Sequence, residues 1–266
     1  MKIGVVQFHP IFGGVARNIA KAVSMMGSLE ADLWVLPELF ATGYQFRDRK
    51  EAFALSEDLE GPTVTTLADQ AARRGCWFCG GFPERAGDLV YNSAFLVGPQ
   101  GLVSVYRKVH LFDREKELFA PGDRPFEVVN VGGVPVGMMI CFDWFFPESA
   151  RSLALQGAQV LLHPSNLVLP HCPDAMKTRA LENRVFTVTA NRVGSEDRLS
   201  DGPLTYIGNS VVYGPDGSCY ARRLEAEEVA FVVDLPTQGA KKKSVTARND
   251  LFRDRRPSLY AGLTSE

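Results

Sequence analysis

The sequence is most informative between residues 136 and 148, which read Val136-Gly137-Met138-Met139-Ile140-Cys141-Phe142-Asp143-Trp144-Phe145-Phe146-Pro147-Glu148. A run of apolar, strand-forming residues ends at Cys141, and Pro147 is well suited to the first turn of a helix. A strand that passes through a sharp turn into a helix, with one nucleophilic residue in the turn, has the layout of a nucleophile elbow. We therefore expect an α/β fold that places Cys141 at the end of a strand.

Cys141 allows two interpretations. Unpaired cysteines are among the most buried residue types, so an inert structural thiol is the simpler one. The functional interpretation rests on position, because N–H groups after a strand-end turn can stabilise an oxyanion, and a nearby helix start lowers the pKa of a thiol. We predict that Cys141 is a nucleophile and that the backbone N–H of Phe142 serves an oxyanion hole.

The same alternation of apolar runs and amphipathic segments extends along the whole chain without a linker or a solenoid-type repeat. Helices are predicted at residues 15–26 and 64–71, from Pro147 to Gly157, and from Pro173 to about residue 184. Hairpin turns are predicted at residues 98–101 and 214–217. Strands are predicted at residues 3–8, 33–37, 76–82, 94–97, 102–108, 126–129, 134–140, 160–164, 187–192, 209–213 and 229–234. This pattern favours a layered α/β sandwich in a single domain, residues 1–266.

Composition narrows the class of partner. Lys and Arg number 29 against 31 Asp and Glu, so the net charge of −2 gives no general field to attract nucleic acid. The run Lys241-Lys242-Lys243 is typical of a solvated loop. No apolar stretch approaches the roughly 20 residues of a membrane span, and Gln7 and Pro10 interrupt the N-terminal apolar run too early for a signal peptide. We expect a cytoplasmic protein with a small-molecule ligand, no nucleic-acid partner and no membrane partner.

The five cysteines are expected to be free thiols, as is usual in a reducing compartment. Cys76 and Cys79 have the spacing of redox and zinc sites, but they lie in an apolar strand and lack a second such pair. Cys172 and Cys219 lie in loop or hairpin contexts with no activating neighbour. Since the four histidines also show no metal-ligand spacing, we expect no metal and no cofactor.

Two further charged residues are predicted at strand ends. Glu38 follows the apolar run Trp34-Val35-Leu36-Pro37, where a carboxylate can act as a general acid or base, although a solvated loop acid is the commoner occurrence. Lys108 ends another strand, where a buried ammonium can stabilise a thiolate and an oxyanion. His110 shares the face of Lys108, but a structural histidine is favoured over a Cys–His dyad.

Three segments in this order resemble the nitrilase superfamily of carbon–nitrogen hydrolases. They are Leu36-Pro37-Glu38, Tyr106-Arg107-Lys108-Val109-His110-Leu111, and Ile140-Cys141-Phe142-Asp143 with Phe146-Pro147-Glu148. The similarity extends over nearly the whole chain and is greatest to small thermoactive archaeal nitrilases and, less closely, to N-carbamoylputrescine amidases.

The resemblance implies a four-layer α-β-β-α sandwich that forms a homodimer or a higher even oligomer, with the tail 236–266 packed at the dimer interface. It also implies that Glu38, Lys108 and Cys141 are catalytic. A further glutamate that orients substrate and water in relatives matches Glu115, with Glu117 as the alternative.

The expected reaction is hydrolysis of a small non-peptide nitrile or amide through a thioimidate or thioester on Cys141. Relatives that act on N-carbamoyl amino acids hold the substrate carboxylate with arginines shortly after the cysteine, where this chain has Trp144, Phe145 and Phe146. An aromatic wall favours a small, mostly apolar acyl group. Asn166 follows another strand and lines the pocket in this interpretation, although a turn-forming Asn is equally consistent.

Four alternatives remain open. An ω-amidase or an N-carbamoyl amine amidohydrolase would use the same site on another substrate, and Arg184 and Arg192 are possible anchors for an anionic one. A catalytically silent scaffold dimer would keep only the fold. A thiol redox protein would use Cys76 and Cys79.

Overall fold

Fourteen strands and six α-helices lie within residues 1–223 and 226–263, the part of the chain that the structure, a computed structural model, describes. The strands are β1 (Lys2–Gln7), β2 (Leu33–Val35), β3 (Trp77–Ala86), β4 (Leu89–Gly98), β5 (Gly101–Arg107), β6 (Val128–Val131), β7 (Val134–Met138), β8 (Val160–Pro164), β9 (Phe186–Ala190), β10 (Ser195–Glu196), β11 (Leu204–Thr205), β12 (Val211–Tyr213), β13 (Cys219–Arg222) and β14 (Val229–Asp234). The helices are α1 (Val15–Met26), α2 (Arg49–Leu55), α3 (Pro62–Arg74), α4 (Glu115–Leu118), α5 (Pro147–Leu155) and α6 (Cys172–Asn183).

The larger strands form two six-stranded sheets with the same plan. The first sheet has the order β14-β1-β2-β3-β4-β5, and the second has the order β13-β12-β9-β8-β7-β6. Each sheet has a parallel centre of three strands, β1-β2-β3 or β7-β8-β9, and antiparallel strands on both sides. Parallel strands are buried on both faces, which explains the continuous apolar runs of the central strands.

The two sheets pack face to face, and helices cover their outer faces. Val5 and Leu96 of the first sheet share one core with Leu162 and Val188 of the second. On the outside of the first sheet, α1 and α3 pack against strand residues such as Trp34. On the second sheet α5 lies so close to β7 that a side chain at Gly137 would meet Leu153 at 2.6 Å. The fold is therefore the α-β-β-α sandwich that the sequence predicts.

Most predicted elements are present, with differences at their ends. The hairpin after β4 turns at Gly98 and Gly101, and α5 begins at Pro147, as predicted. The strand predicted at residues 134–140 ends at Met138, because Ile140 to Asp143 already form a tight turn. Cys172 was predicted in a loop but is the buried first residue of α6.

The short elements α2, α4, β10 and β11 were not predicted, and β13 was implied only by the hairpin turn predicted at residues 214–217. The start of helix α2 could have been predicted from the sequence. In the structure Asp48 accepts a hydrogen bond from the Glu51 N–H and so caps α2. Asp48 followed three residues later by Glu51 is the pattern of a capping box.

The tail after β14 contains three short 3₁₀ helices, Thr237–Lys241, Pro257–Leu259 and Ala261–Leu263. Lys243 fixes it to the end of α6, because its Nζ donates to the carbonyls of Asn183 and Arg184 at 3.0 and 2.9 Å. Of the predicted tail 236–266, residues 264–266 lie outside the described residues. Within the described ranges, none of the helices has the length and apolar character that crossing a membrane requires.

Candidate active site

Four side chains predicted from the sequence meet at one end of the two sheets. Glu38 follows β2, Lys108 follows β5, Glu115 begins α4, and Cys141 lies beyond the end of β7. The Lys108 Nζ lies 2.7 Å from Glu38 Oε1 and 2.7 Å from Glu115 Oε1. The four residues are at most 6% exposed. The site therefore holds an ammonium between two carboxylates, out of contact with bulk water, beside a thiol.

Glu38 is held by a close approach of strand β3. The Gly81 N–H donates to the Pro37 carbonyl, and the Gly81 carbonyl accepts from the Phe40 N–H. A Cβ atom at residue 81 would lie 2.6 Å from the Glu38 Cα, so only glycine allows this distance. Asn92 on β4 donates to Glu38 Oε1 at 2.7 Å, whereas Oε2 has no hydrogen-bond partner among the described residues. The unpartnered oxygen is free to accept a proton.

Glu115 is the second carboxylate of the site. Its Oε1 accepts from the Tyr44 hydroxyl at 2.8 Å, and its Oε2 accepts from the Phe112 N–H at 3.0 Å. Burial and the neighbouring Glu38 outweigh the attraction of Lys108 and raise the pKa of Glu115 to about 7. The alternative, Glu117, is largely exposed and pairs with Arg114 instead. The structure thus brings Glu115, not Glu117, to Lys108.

Lys108 keeps its positive charge in spite of burial. Burial alone lowers the pKa of the ammonium, but the carboxylates of Glu115 and Glu38 more than compensate, and the pKa is raised. A charge that is fixed in a dry cleft interacts more strongly with developing negative charge than it would in water.

Cys141 occupies a strained turn. Its φ of 39° lies in the left-handed region that non-glycine residues rarely adopt, and it begins the 3₁₀ helix Cys141–Phe145. His163 on β8 supports the turn, because its Nε2–H donates to the Cys141 carbonyl at 2.9 Å while Nδ1 accepts from Thr189. Burial lowers the pKa of His163 to about 4, so this imidazole stays neutral. Such strain is typical of functional positions that the surroundings hold in place.

Asp143 clamps this turn to the loop after β5. Its Oδ2 accepts from the Ile140 N–H at 2.8 Å and from the Tyr106 hydroxyl at 2.7 Å. Its Oδ1 lies 2.8 Å from Nδ1 of His110, whose ring also stacks on Phe146 at 3.7 Å. His110 therefore contacts Asp143 and Phe146, in agreement with the structural interpretation.

The predicted lowering of the Cys141 pKa is wrong. Burial and the negative charges of Glu38 and Glu115 raise the pKa of the thiol well above its usual range, against the opposing effects of Lys108 and a hydrogen bond from the Asn166 N–H. The helix α5 begins only at Pro147, and the positive potential of a helix start falls off within about one turn. The resting site contains a thiol that needs a base.

A small apolar cavity opens at Cys141. Its volume is about 30 Å³, and it is lined by the predicted residues Phe142, Trp144 and Asn166 together with Phe112 and Leu167. A second cavity of about 90 Å³, lined by Tyr44, Arg114, Glu115 and Asp201 among others, shares Phe112 with the first. The first cavity is placed to hold an acyl group.

Several residues of the site were not predicted: Tyr44, Asn92, Tyr106, Asp143, His163 and Tyr206. Tyr206 packs edge-on against Tyr44 and under the Arg192 guanidinium, and its buried hydroxyl has no hydrogen-bond partner within the described ranges. Asp143 carried a sequence signal, as an acid two residues after Cys141 in a tight turn, and Tyr106 begins a segment that resembles the family.

The other candidate residues stay outside the site or support it. Arg192 is buried, pairs with Glu196 and thus has a structural role. Arg184 adopts a left-handed conformation at the end of α6. Cys76 and Cys79 are buried free thiols, and burial raises the pKa of Cys76 to about 11. Among the residues that the structure describes, no group of three or more His, Cys, Asp or Glu could hold a metal ion.

A thiol, a base and a fixed ammonium in an α-β-β-α sandwich define a cysteine-dependent hydrolase of non-peptide carbon–nitrogen bonds. The model of the carbon-nitrogen hydrolase family matches residues 2–242, and the chain belongs to this family. The resemblance stated from the sequence is thereby confirmed.

Curated relatives include nitrilases and amidases. A nitrilase of Pyrococcus abyssi is 45% identical over 98% of this chain and 99% of its own length. An (R)-stereoselective amidase of a Pseudomonas species is 35% identical over 97% of this chain and 93% of its own length. The N-carbamoylputrescine amidase of Solanum lycopersicum is 32% identical over 92% of this chain and 89% of its own length.

Solved structures agree with the fold. A carbon-nitrogen hydrolase from Helicobacter pylori G27 has a TM-score of 0.88 at 26% identity and covers 100% of this chain and 99% of its own. A mutant amidase from Nesterenkonia sp. AN1, whose active-site cysteine has undergone Michael addition of acrylamide, has a TM-score of 0.81 at 27% identity and covers 99% of both chains.

Proposed function

We propose that the protein hydrolyses a small non-peptide amide or nitrile to ammonia and a carboxylic acid, through a covalent intermediate on Cys141. The observation that carries this proposal is the single buried cluster in which Lys108 lies 2.7 Å from both Glu38 and Glu115, next to Cys141. Nitrilases and amidases are both among the relatives, and an amidase neighbour forms a covalent adduct at its active-site cysteine.

Acylation begins with proton transfer. The raised pKa of the Cys141 thiol means that Glu38 takes its proton as the sulfur attacks the carbonyl or nitrile carbon. The developing negative charge on oxygen or nitrogen is stabilised by the Lys108 ammonium and the Phe142 N–H. For an amide, Glu38 returns the proton to nitrogen, the carbon–nitrogen bond breaks, and ammonia leaves a thioester.

Hydrolysis completes the cycle. Glu38 takes a proton from water, the hydroxide adds to the thioester carbon, and the carbon–sulfur bond breaks with the proton returned to sulfur. A nitrile first gives a thioimidate, which needs one additional water before ammonia leaves. Glu115 holds Lys108 and orients substrate and water, a role that suits a carboxyl group with a pKa of about 7.

The substrate is expected to carry a small acyl group. The cavity at Cys141 is walled by Phe142 and Trp144, and no lining residue carries a charge. An ω-amidase or an N-carbamoyl amine amidohydrolase is the alternative, supported by the N-carbamoylputrescine amidases among the relatives. A catalytically silent scaffold is disfavoured, because a structural role does not require a buried ammonium between two carboxylates.

We also propose that the chain acts as a single domain, residues 1–266, in a homodimer or higher even oligomer in the cytoplasm. Leu259 and Leu263 of the tail are 70% and 67% exposed, and apolar side chains in such positions favour an interface. The five free thiols suit a reducing compartment.

The test is an ammonia-release screen across aliphatic nitriles, ω-amides and N-carbamoyl amines, with mass spectrometry of the intact protein to detect the adduct. Cys141→Ala, Lys108→Ala and Glu38→Gln are each expected to lower turnover by at least about a hundredfold while the circular dichroism spectrum is retained. Cys219→Ala, which removes an exposed thiol, is the matched control. Full activity in any of the three variants would show that the roles are misassigned.

A further inference from the structure

The side chain of Asn166 is buried without a hydrogen bond. The residue is 3% exposed, and neither Nδ2 nor Oδ1 has a partner among the described residues. An unpaired primary amide in a protein interior is costly, and such groups are usually satisfied by a ligand or by water.

The amide is not needed to form the local turn. The turn after β8 is held instead by its neighbours, since the Leu167 N–H donates to Asn191 Oδ1 at 2.8 Å and the Leu167 carbonyl accepts from the Ile207 N–H at 3.0 Å. The backbone N–H of Asn166, rather than its side chain, contacts the Cys141 thiol. The turn-forming interpretation of Asn166 is therefore excluded for its side chain.

Asn166 lines the cavity at Cys141, whose other lining side chains are apolar apart from the thiol. The volume of about 30 Å³ accommodates two water-sized groups, since one water needs roughly 10–15 Å³. A carboxylate in this cavity would lose its hydration without gaining a cation from the lining. An alkyl group would leave both amide atoms unpaired.

We propose that Asn166 selects a short acyl group that carries a neutral hydrogen-bonding substituent, of which a hydroxyl is the smallest. The inference rests on the proposed amide or nitrile hydrolysis. The Nδ2–H donates to the substrate hydroxyl oxygen, and the substrate hydroxyl in turn donates to Oδ1. Both unpaired atoms are then satisfied within the available volume.

The experiment compares amides that differ only in a hydroxyl or a methyl group, namely glycolamide with propionamide and β-hydroxypropionamide with butyramide. In the wild type, kcat/KM for at least one hydroxylated amide is expected to exceed that of its methyl counterpart by about tenfold or more. Malonamate, which carries a carboxylate, is expected to be the poorest substrate.

Asn166→Leu is expected to abolish or reverse the preference while propionamide and butyramide are still hydrolysed. Comparing the hydroxyl-to-methyl ratio between variants cancels the intrinsic reactivity of each amide. Val168→Ala, which changes the size of the same cavity without a polar atom, is expected to keep the wild-type ratio.

The outcomes separate this inference from the proposed function. Equal turnover of both members of each pair by the wild type would overturn the role of Asn166 but leave the hydrolase intact, and would mean that water satisfies the amide. Release of ammonia from none of the amides or the matching nitriles would instead count against the proposed function. If Asn166→Leu fails to fold, Asn166→Ala, which adds no bulk to the cavity, replaces it in the comparison, and a hydroxyl-to-methyl ratio equal to that of the wild type would overturn the inference.

Discussion

Cys141 has a thiol with a raised pKa and a strained backbone, and the surrounding residues cause both properties. Burial and two carboxylates raise the pKa of the thiol, so the site avoids a permanently reactive thiolate and depends on a base when substrate binds. The positive φ turns the thiol toward the cleft, and His163 and Asp143 hold the turn in place. Reactivity therefore belongs to the cluster rather than to the cysteine alone.

Glu115 gives the stability of the protein a defined pH dependence. Its pKa of about 7 in the folded state exceeds the ordinary value of 4.5, so between these values the folded chain binds the proton more tightly than the unfolded chain does. This group therefore lowers the free energy of unfolding as the pH rises from about 4.5 to about 7. Glu115→Gln removes this titrating group. The free energy of unfolding of the variant minus that of the wild type should therefore rise with pH from about 4.5 to about 7 and level off above this range.

Urea unfolding at a series of pH values measures this difference. His163, whose pKa is lowered to about 4, acts in the opposite direction but is present in both proteins and cancels. A difference that stays constant from pH 4.5 to 7 would mean that Glu115 titrates normally.

The residues that carry the thiol, the carboxylate and the ammonium of the site could be predicted from the sequence. The residues that hydrogen-bond to them could not. Glu38, Lys108 and Cys141 were candidates because each follows a predicted strand, and the family resemblance implied that they act together, although they come from two different sheets. Asn92 and Tyr44 could not be predicted, since their contacts depend on strand register and loop path that no local pattern encodes.

Among the elements, the turn after β7 and the loop after β5 depend on Asp143. Asp143→Ala would leave the Ile140 N–H unpaired in the interior and the Tyr106 hydroxyl without an acceptor for its proton, so we expect a loss of about 3 kcal/mol in the free energy of unfolding and a lower kcat. Tyr106→Phe removes the bond to Asp143 and the weaker bond from the Val109 N–H at 3.2 Å, and should cost about 1–2 kcal/mol. Chemical denaturation of the three proteins measures the effect. Equal stability of Asp143→Ala and Tyr106→Phe would argue against the clamp.

Strand β3 controls the position of Glu38 through Gly81. In Gly81→Ala the new methyl group would lie 2.6 Å from the Glu38 Cα, and the strand or the loop must move. We expect kcat to fall by about tenfold or more, because small displacements of a catalytic group are costly. Gly80→Ala is the matched control, since its nearest neighbours are side chains at 3.1 Å or more. Steady-state kinetics with similar kcat values for both variants would rule out this positioning role.

Elements with strong periodicity were predicted well, and short ones were missed. Helix α3 has a clear apolar stripe at Val64, Leu67 and Ala71. By contrast β10 and β11 have two residues each, too few for any period to be read, and they exist because tertiary contacts pair them.

The whole molecule divides the site between its two sheets. Glu38 and Lys108 come from loops of the first sheet, and Cys141 and Asn166 come from loops of the second. The sandwich was predicted from the interleaving of elements and from the family resemblance. The matching arrangement of strands in the two sheets was not predicted, because the parts of the chain that form them show no detectable sequence repeat.

The exposed tail allows a test of the proposed assembly. Leu259→Glu with Leu263→Glu places charges on the most exposed apolar side chains of the tail, so we expect dissociation into monomers if the tail forms the interface. Leu89→Glu, at a 51% exposed position in the hairpin between β3 and β4, is the control. Light scattering coupled to size exclusion measures the mass. An unchanged mass in the tail variant would place the interface elsewhere.

The pairing of β14 with β1 affects the protein while it is being synthesised on the ribosome. Residues 2 to 7 are translated more than 200 residues before their antiparallel neighbour, residues 229 to 234. While the residues between these two strands are synthesised, β1 therefore has an open edge that can pair with other chains. Nascent chains that stop before residue 229 should be prone to aggregate, and chaperones that shield strand edges would matter most during synthesis of this protein.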